Sequence, residues 1–321
     1  MELIGLANYA LFILILAGIY GLLALGLNVH WGFTGLFNAG IAGFFAIGAY
    51  TSAILTGPAV ENQLGGFGAP VLAGWAAAML MAAVLAWPIG RVCLRFRADY
   101  LAIATIGVAE IIRLAIRSEE WLTGGVRGLS GIPRPFGDLP YFFSQLAYLL
   151  IVVTVVLTVY MLVERQLRAP WGRMMRGIRD NEAAAAAMGK SIERRRLEAF
   201  IFGSALMGLA GALFVHFNRS ITPDAIDPMI ATFLIWIMLI LGGSGNNRGA
   251  LLGALLIWLI WSLSELATDR LPEDWAGQAQ YARIFLIGLL LQLVLRFRPE
   301  GILPEHHGRT RGDHPPGEHE T

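Results

Sequence analysis

The sequence predicts an all-α integral membrane protein. The expected architecture is a polytopic bundle of about eight to ten transmembrane helices, nine favoured, with glycine-rich broken or re-entrant helices among them. Three observations predict it. Hydrophobic residues make up 56% of the chain and charged residues 15%, against roughly 25% charged in soluble domains. Mean hydropathy is +0.61. Nine apolar stretches recur along the chain: residues 3–27, 33–55, 70–90, 100–116, 142–163, 197–217, 229–241, 250–266 and 282–295. About 20 such residues cross a bilayer core.

The first stretch follows a start without basic residues and is too long for a secretory signal, so it is expected to remain as a span. Around the second, glycine stands at 32, 35, 40, 43 and 48. Gly40 and Gly43, beside Ala39 and Ala42, permit close helix packing. The same glycines permit a broken helix whose freed backbone groups, with Thr34 and Asn38, face a polar solute. Both readings stand at this point. The single Cys93 excludes an internal disulfide.

In the fourth stretch Glu110 and Arg113 share one helix face, either as an internal pair that positions helices or as the lining of a path. Residues 118–141 are rich in Gly and Pro and predict turns. Within them Thr123, Gly124 and Gly125 either simply connect or present backbone amides to a carboxylate. The seventh stretch is short for a straight crossing, and 241–253 adds five glycines and two asparagines. That pattern predicts either a re-entrant bend or a tight turn. Asp224 and Asp227 suit loop capping. From Glu305 onward the chain is polar and expected to be disordered. Four of the six histidines lie there, without a spacing that fixes metal ligands.

The longest polar interruption is 165–196, with nine Lys and Arg against three acids. Residues 182–188 contain five successive alanines and predict a thin helix, which Gly189 ends in a left-handed conformation. Asp180 and Glu182 at its start complement the helix dipole. Arg173, Arg176 and Arg179 repeat at i,i+3, facing acidic partner residues or anionic lipid. A merely solvated loop is the plainer reading. Placing this segment inside and alternating through nine spans puts seventeen of the 24 Lys and Arg on one side. The N-terminus is then external and the C-terminus cytoplasmic. Met188-Gly-Lys-Ser191 imitates the end of a phosphate loop, but position 184 is Ala and the upstream pattern is helical. No ATP site, clustered catalytic set or metal pattern is expected on this chain, and no nucleic-acid partner.

Six segments carry a family resemblance, from about residue 22 to 302: GLNVHWGFTGLFNAGIAGFFAIGAYTSAIL (26–55), RFRADYLAIATIGVAEIIRL (95–114), the LTGG and GLSGIP of 122–133, GRMMRGIRDNEAAAAAMGK (172–190), LGGSGNNRGALLGA (241–254) and FRPEGIL (297–303). In this order they resemble the permease subunits of ABC importers for branched-chain amino acids, of the LivM type. The resemblance implies a second homologous permease, two cytoplasmic ATPases that carry the ATP, an external solute-binding protein and a bacterial inner membrane. It also implies that Glu182-Ala183-Ala184 and Gly189, with Arg179 and Asp180, form the ATPase-coupling helix. The spacing from Ala184 to Gly189 is one residue longer than the common one, and a charged run 193–196 replaces the usual apolar continuation.

The expected organisation is therefore a permease domain over 1–304, with a coupling segment at 164–196, and a tail over 305–321. Two departures from relatives bear on the solute. A Ser-Leu-Gly-His-like run is replaced by Asn38-Ala39-Gly40-Ile41, and a usually uncharged position holds Arg127. Urea, amides and other small organic acids therefore stand beside branched-chain amino acids as expected solutes. A self-sufficient secondary transporter or channel is the competing class, with Glu110 as its best coupling carboxylate.

Overall fold

The computed structural model describes residues 2–60, 62–226, 228–268, 285–286 and 288–305. Asp227, the start of the ninth predicted stretch and the tail after Glu305, with its histidines, lie outside the described residues. Among those described, the helices are α1 (Glu2–Leu27), α2 (Ile41–Thr56), α3 (Val71–Cys93), α4 (Ala98–Ser118), α5 (Glu120–Thr123), α6 (Tyr141–Arg168), α7 (Pro170–Asp180), α8 (Glu182–Ala187), α9 (Ile192–Asn218), α10 (Pro228–Gly242), α11 (Asn247–Thr268) and α12 (Gly288–Phe297). Each of the nine apolar stretches holds one of them. Six have the length and composition to cross a membrane, and α2 and α12 are shorter apolar helices. Helix α4 is long enough but carries Asp99, Glu110, Arg113 and Arg117.

The chain is thus an all-α, multi-pass membrane protein. Its interior is built from α1, α2, α9 and α10. The apolar windows of α1 and α9 are 72% and 78% buried, against 28% for α3 and 22% for α6, which form the outer layer. Apolar burial does not drive association between helices in lipid, so close packing must. Small residues supply it. A Cβ at Gly48 would stand 2.0 Å from the Gly208 carbonyl oxygen, and one at Gly211 would stand 2.0 Å from that of Phe45, so α2 and α9 meet backbone to backbone. Gly203 also approaches α1 closely, where its Cβ would meet the Gly26 carbonyl oxygen at 2.7 Å.

Two readings left open by the sequence are decided here. The second stretch is broken: α1 runs into a widened π-helical turn, Asn28–Gly32, and residues 33–40 are irregular before α2 begins. The segment 241–253 is a tight turn and not a re-entrant bend, because α10 ends at Gly242 and α11 starts at Asn247. Gly243 and Gly245 take positive φ there (112° and 80°), which lets the chain reverse within four residues. A 3-10 turn, Pro223–Ile226, precedes α10, so the apolar helical run of 223–242 reaches 20 residues.

The connections gather at two ends. At one end, Leu64 N–H donates to the Trp121 carbonyl (2.6 Å), Ile132 N–H to that of Arg219 (3.1 Å), and Arg117 faces Asp224 at 3.6 Å. Short strands β1 (Leu129–Ser130) and β2 (Ser220–Ile221) pair antiparallel there, Leu129 opposite Ile221. At the opposite end lie 28–40, the α3–α4 turn, α7, α8, the α10–α11 turn and 298–305. Loops that an alternating path assigns to one side therefore touch one another.

Candidate coupling site at the basic end

The α8 helix stands at the basic end. Asn181 caps it by accepting from Ala184 N–H at 2.9 Å, a bond that satisfies one of the open amides of a helix start. Glu182 is held by both terminal nitrogens of Arg196 at 2.9–3.0 Å, which ties the α8 start to α9. Only Ala185 is buried; Ala183, Ala184, Ala186, Ala187 and Met188 are exposed. Gly189 follows with φ +73° and open space around its Cα, and its N–H donates to Ala186 at 2.9 Å. The result is a smooth, uncharged knob whose capping groups are already satisfied.

The arginine row of α7 is committed to the protein's own backbone. Arg173 donates to the Arg168 carbonyl (3.1 Å) and Arg176 to that of Leu167 (3.2 Å), both at the C-terminal end of α6, where open carbonyls welcome cations. Arg179 donates to the Gly32 carbonyl, to Glu305 (2.9 Å) and to Asp180 (3.0 Å). Burial pulls the Arg179 pKa down, but its hydrogen bonds to Glu305 and Asp180 more than offset this and leave it above the ordinary value. The three arginines expected to face acidic partner residues or anionic lipid thus also make internal bonds, and these brace α7. Glu305, expected to open a disordered tail, is instead pinned by Arg179.

Arg179 reaches the break between α1 and α2, and the break is fully wired. His30 donates from Nε2 to the Phe200 carbonyl of α9 (2.9 Å), so its Nδ1 accepts from Asn38 Nδ2 (3.0 Å). Asn38 Oδ1 accepts from Gly40 N–H (2.8 Å), and Ala39 N–H donates to Thr105 Oγ1 of α4 (3.0 Å). Asn28 donates to Asn247 (3.0 Å) and accepts from Gly245 N–H (2.8 Å), and Asn247 donates to Glu164 of α6 (3.0 Å). Sequence reasoning passed over His30, Asn28 and Asn247. Each lies at a span end, but Asn28 and Asn247 are 219 positions apart, and nothing local pairs them.

The predicted path residues are placed as follows. Thr34 and Asn38 are 1% and 0% exposed, and Thr34 donates to the carbonyls of Val29 and His30, so both are internal ties. Gly40 and Gly43 are contact points with α4, where added Cβ atoms would meet Thr105 O at 2.7 Å and Ala109 Cα at 3.0 Å. Glu110 and Arg113 pair bidentately at 2.5 and 2.9 Å on a half-exposed face of α4. At the other end, Thr123 donates to the Ile116 and Glu119 carbonyls. The Gly124 N–H is taken by Glu120 O and the Gly125 N–H by Thr123 Oγ1, so neither amide is open to a carboxylate in this conformation.

The Arg179 clamp is testable by itself. Arg179→Ala strands the Gly32 carbonyl and is expected to cost about 1–2 kcal/mol, with Glu305→Gln costing less. The double variant is expected to lose no more than Arg179→Ala alone, read from thermal unfolding of the solubilised chain. Fully additive losses would show that the two side chains do not act as a pair.

Comparison with known proteins gives one consistent picture. Residues 9–295 match the family described as branched-chain amino acid transport system / permease component. The chain is 34% identical over 310 residues to the high-affinity branched-chain amino acid transport system permease protein LivM of Escherichia coli (strain K12), an alignment covering 89% of this chain and 68% of that one. It is 26% identical over 325 residues to the probable LivM permease of Methanocaldococcus jannaschii, covering 91% of this chain and 92% of the relative. To the LivH permease of Escherichia coli (strain K12) it is 23% identical over 304 residues, covering 89% and 93%. No solved structure matches the chain.

Proposed function

The chain belongs to the family of permease components of branched-chain amino acid transport systems, and on that premise we propose that it moves branched-chain amino acids across a bacterial inner membrane. It is the membrane-spanning permease subunit of an ABC importer. In the proposed assembly it pairs with a second homologous permease, receives solute from an external binding protein and is driven by two cytoplasmic ATPases. The basic end is then cytoplasmic, and so is the C-terminal segment pinned there. The observation that carries the reading is α8: a capped alanine helix, exposed along most of its surface and closed by Gly189, fixed to the bundle by Arg196. Movement of this knob reaches the α1–α2 break through Arg179 and the interior helices through His30 and Thr105. A bound ATPase can shift the bundle only by binding its states unequally.

Deleting the gene in its source organism is expected to abolish high-affinity leucine, isoleucine and valine uptake, restored by the intact gene. Normal uptake of those three with loss of urea, amide or organic-acid uptake would reassign the solute. Solute uptake by the purified chain in liposomes without any ATPase would replace the importer with a secondary transporter.

A further inference from the structure

A second feature of the basic end is left unused by the coupling role. Between the α3–α4 turn and the α8–α9 connection lies a groove of about 850 Å³, lined in part by Arg95, Arg97, Lys190 and Arg196 with Glu182 and Glu193. An adjoining hollow of about 470 Å³ adds Arg91 and Arg194. Glu182 and Arg196 neutralise each other across its α8–α9 wall, at 2.9 Å. Arg95, Arg97 and Lys190 have no ion-pair partner among the described residues, and all three are exposed. Of the acids in the lining, Glu193 is the one left to set against them.

The surroundings of this charge are apolar. Val92, Phe96, Tyr100 and Ile103 are 49–67% exposed on α3, α4 and the turn between them. Trp87 is half exposed one turn up α3, with the Arg91 guanidinium 4.9 Å from its ring centre. Tryptophan and arginine side by side at a helix end mark a membrane–water boundary, where the amphipathic ring and the cation both sit at headgroup depth. The groove is thus a cationic hollow that shares Phe96 with exposed apolar residues of α3 and α4.

We propose that this groove binds the phosphate headgroup of an anionic phospholipid, with its acyl chains along Val92, Phe96, Tyr100 and Ile103. Basic pockets between helices on the cytoplasmic side suit such headgroups, and each basic residue near the surface strengthens the attraction. A zwitterionic headgroup carries a compensating cation and gains little there. The proposal rests on membrane embedding alone and not on the transport reading. Because Lys190 and Arg196 flank α8, a seated lipid also holds the α8–α9 connection against α3.

The test uses the full-length chain in nanodiscs containing phosphatidylglycerol and phosphatidylcholine. Native mass spectrometry of the released protein is expected to show retained phosphatidylglycerol in excess over phosphatidylcholine. The Arg95→Gln/Arg97→Gln/Lys190→Gln variant should lower that excess by roughly tenfold or more, while Arg95→Lys/Arg97→Lys keeps it. A photoactivatable phosphatidylglycerol should crosslink to residues 91–103 of the unaltered chain, which keeps the test valid if the triple variant folds poorly. Equal retention of both lipids, an unchanged excess in the triple variant, or displacement by millimolar inorganic phosphate would overturn the proposal. So would crosslinks found only elsewhere.

Discussion

Gly48→Leu is expected to eliminate the folded protein, with membrane yield falling to background. The Cβ that any other residue brings would lie 2.0 Å from the Gly208 carbonyl oxygen and 2.4 Å from its Cα. Backbone atoms of two interior helices cannot retreat as a side-chain tip can. Gly208 is itself pressed by α3, since a Cβ there would meet Ala82 Cβ at 2.6 Å. Even Gly48→Ala must push α2 from α9 and is expected to cost about 3 kcal/mol, at the upper end of overpacking losses. Gly107→Ala on α4, where nothing lies within 4 Å, is the control. It should be neutral or gain up to about 1 kcal/mol from helix propensity. Thermal denaturation of the solubilised chain measures both. A Gly48→Leu protein with ordinary yield and midpoint would refute the backbone contact between α2 and α9.

The second large effect is on coupling and leaves folding nearly untouched. Ala184→Asp and Gly189→Pro are each expected to reduce uptake more than tenfold at normal membrane abundance. Ala184 is exposed, so a carboxylate there breaks no internal contact while placing an unpaired charge on the surface proposed to meet the ATPase. Gly189 has φ +73°, which proline cannot adopt, and its N–H to Ala186 would be lost, so the α8–α9 turn must rebuild. Neither position is packed, so the stability loss is expected to stay near about 1 kcal/mol for Ala184→Asp and to be larger, but confined to the rebuilt turn, for Gly189→Pro. Cellular uptake, with membrane abundance and thermal midpoint measured beside it, separates the two quantities. Full uptake in both variants would remove α8 from the coupling role.

What could be read from residues alone follows how locally each feature is specified. Nine apolar stretches became nine helices because backbone groups in lipid have no water and must satisfy themselves within a segment. The alanine run and its left-handed glycine were legible for the same reason, as both act within one turn, whereas the Asn181 cap emerged only from the structure. The internal bonds of the α7 arginines were not, because i,i+3 spacing places side chains on a face without saying what that face meets. There it met open carbonyls of α6, Gly32 and Glu305.

The tertiary structure also decided the fate of Asn38 and Thr34. Glycine-rich sequence permits both a solute-facing break and a packed one, and here the Asn38 amide bonds His30, which is itself tied to Phe200 of α9, while Thr34 donates to the Val29 and His30 carbonyls. Sequence by itself determined that this protein is a helical membrane bundle with a basic end and an alanine knob. Only the fold decided which polar groups stay available to partners, because that depends on hydrogen bonds between residues far apart in the chain, and burial leaves no uncommitted polar group without a cost.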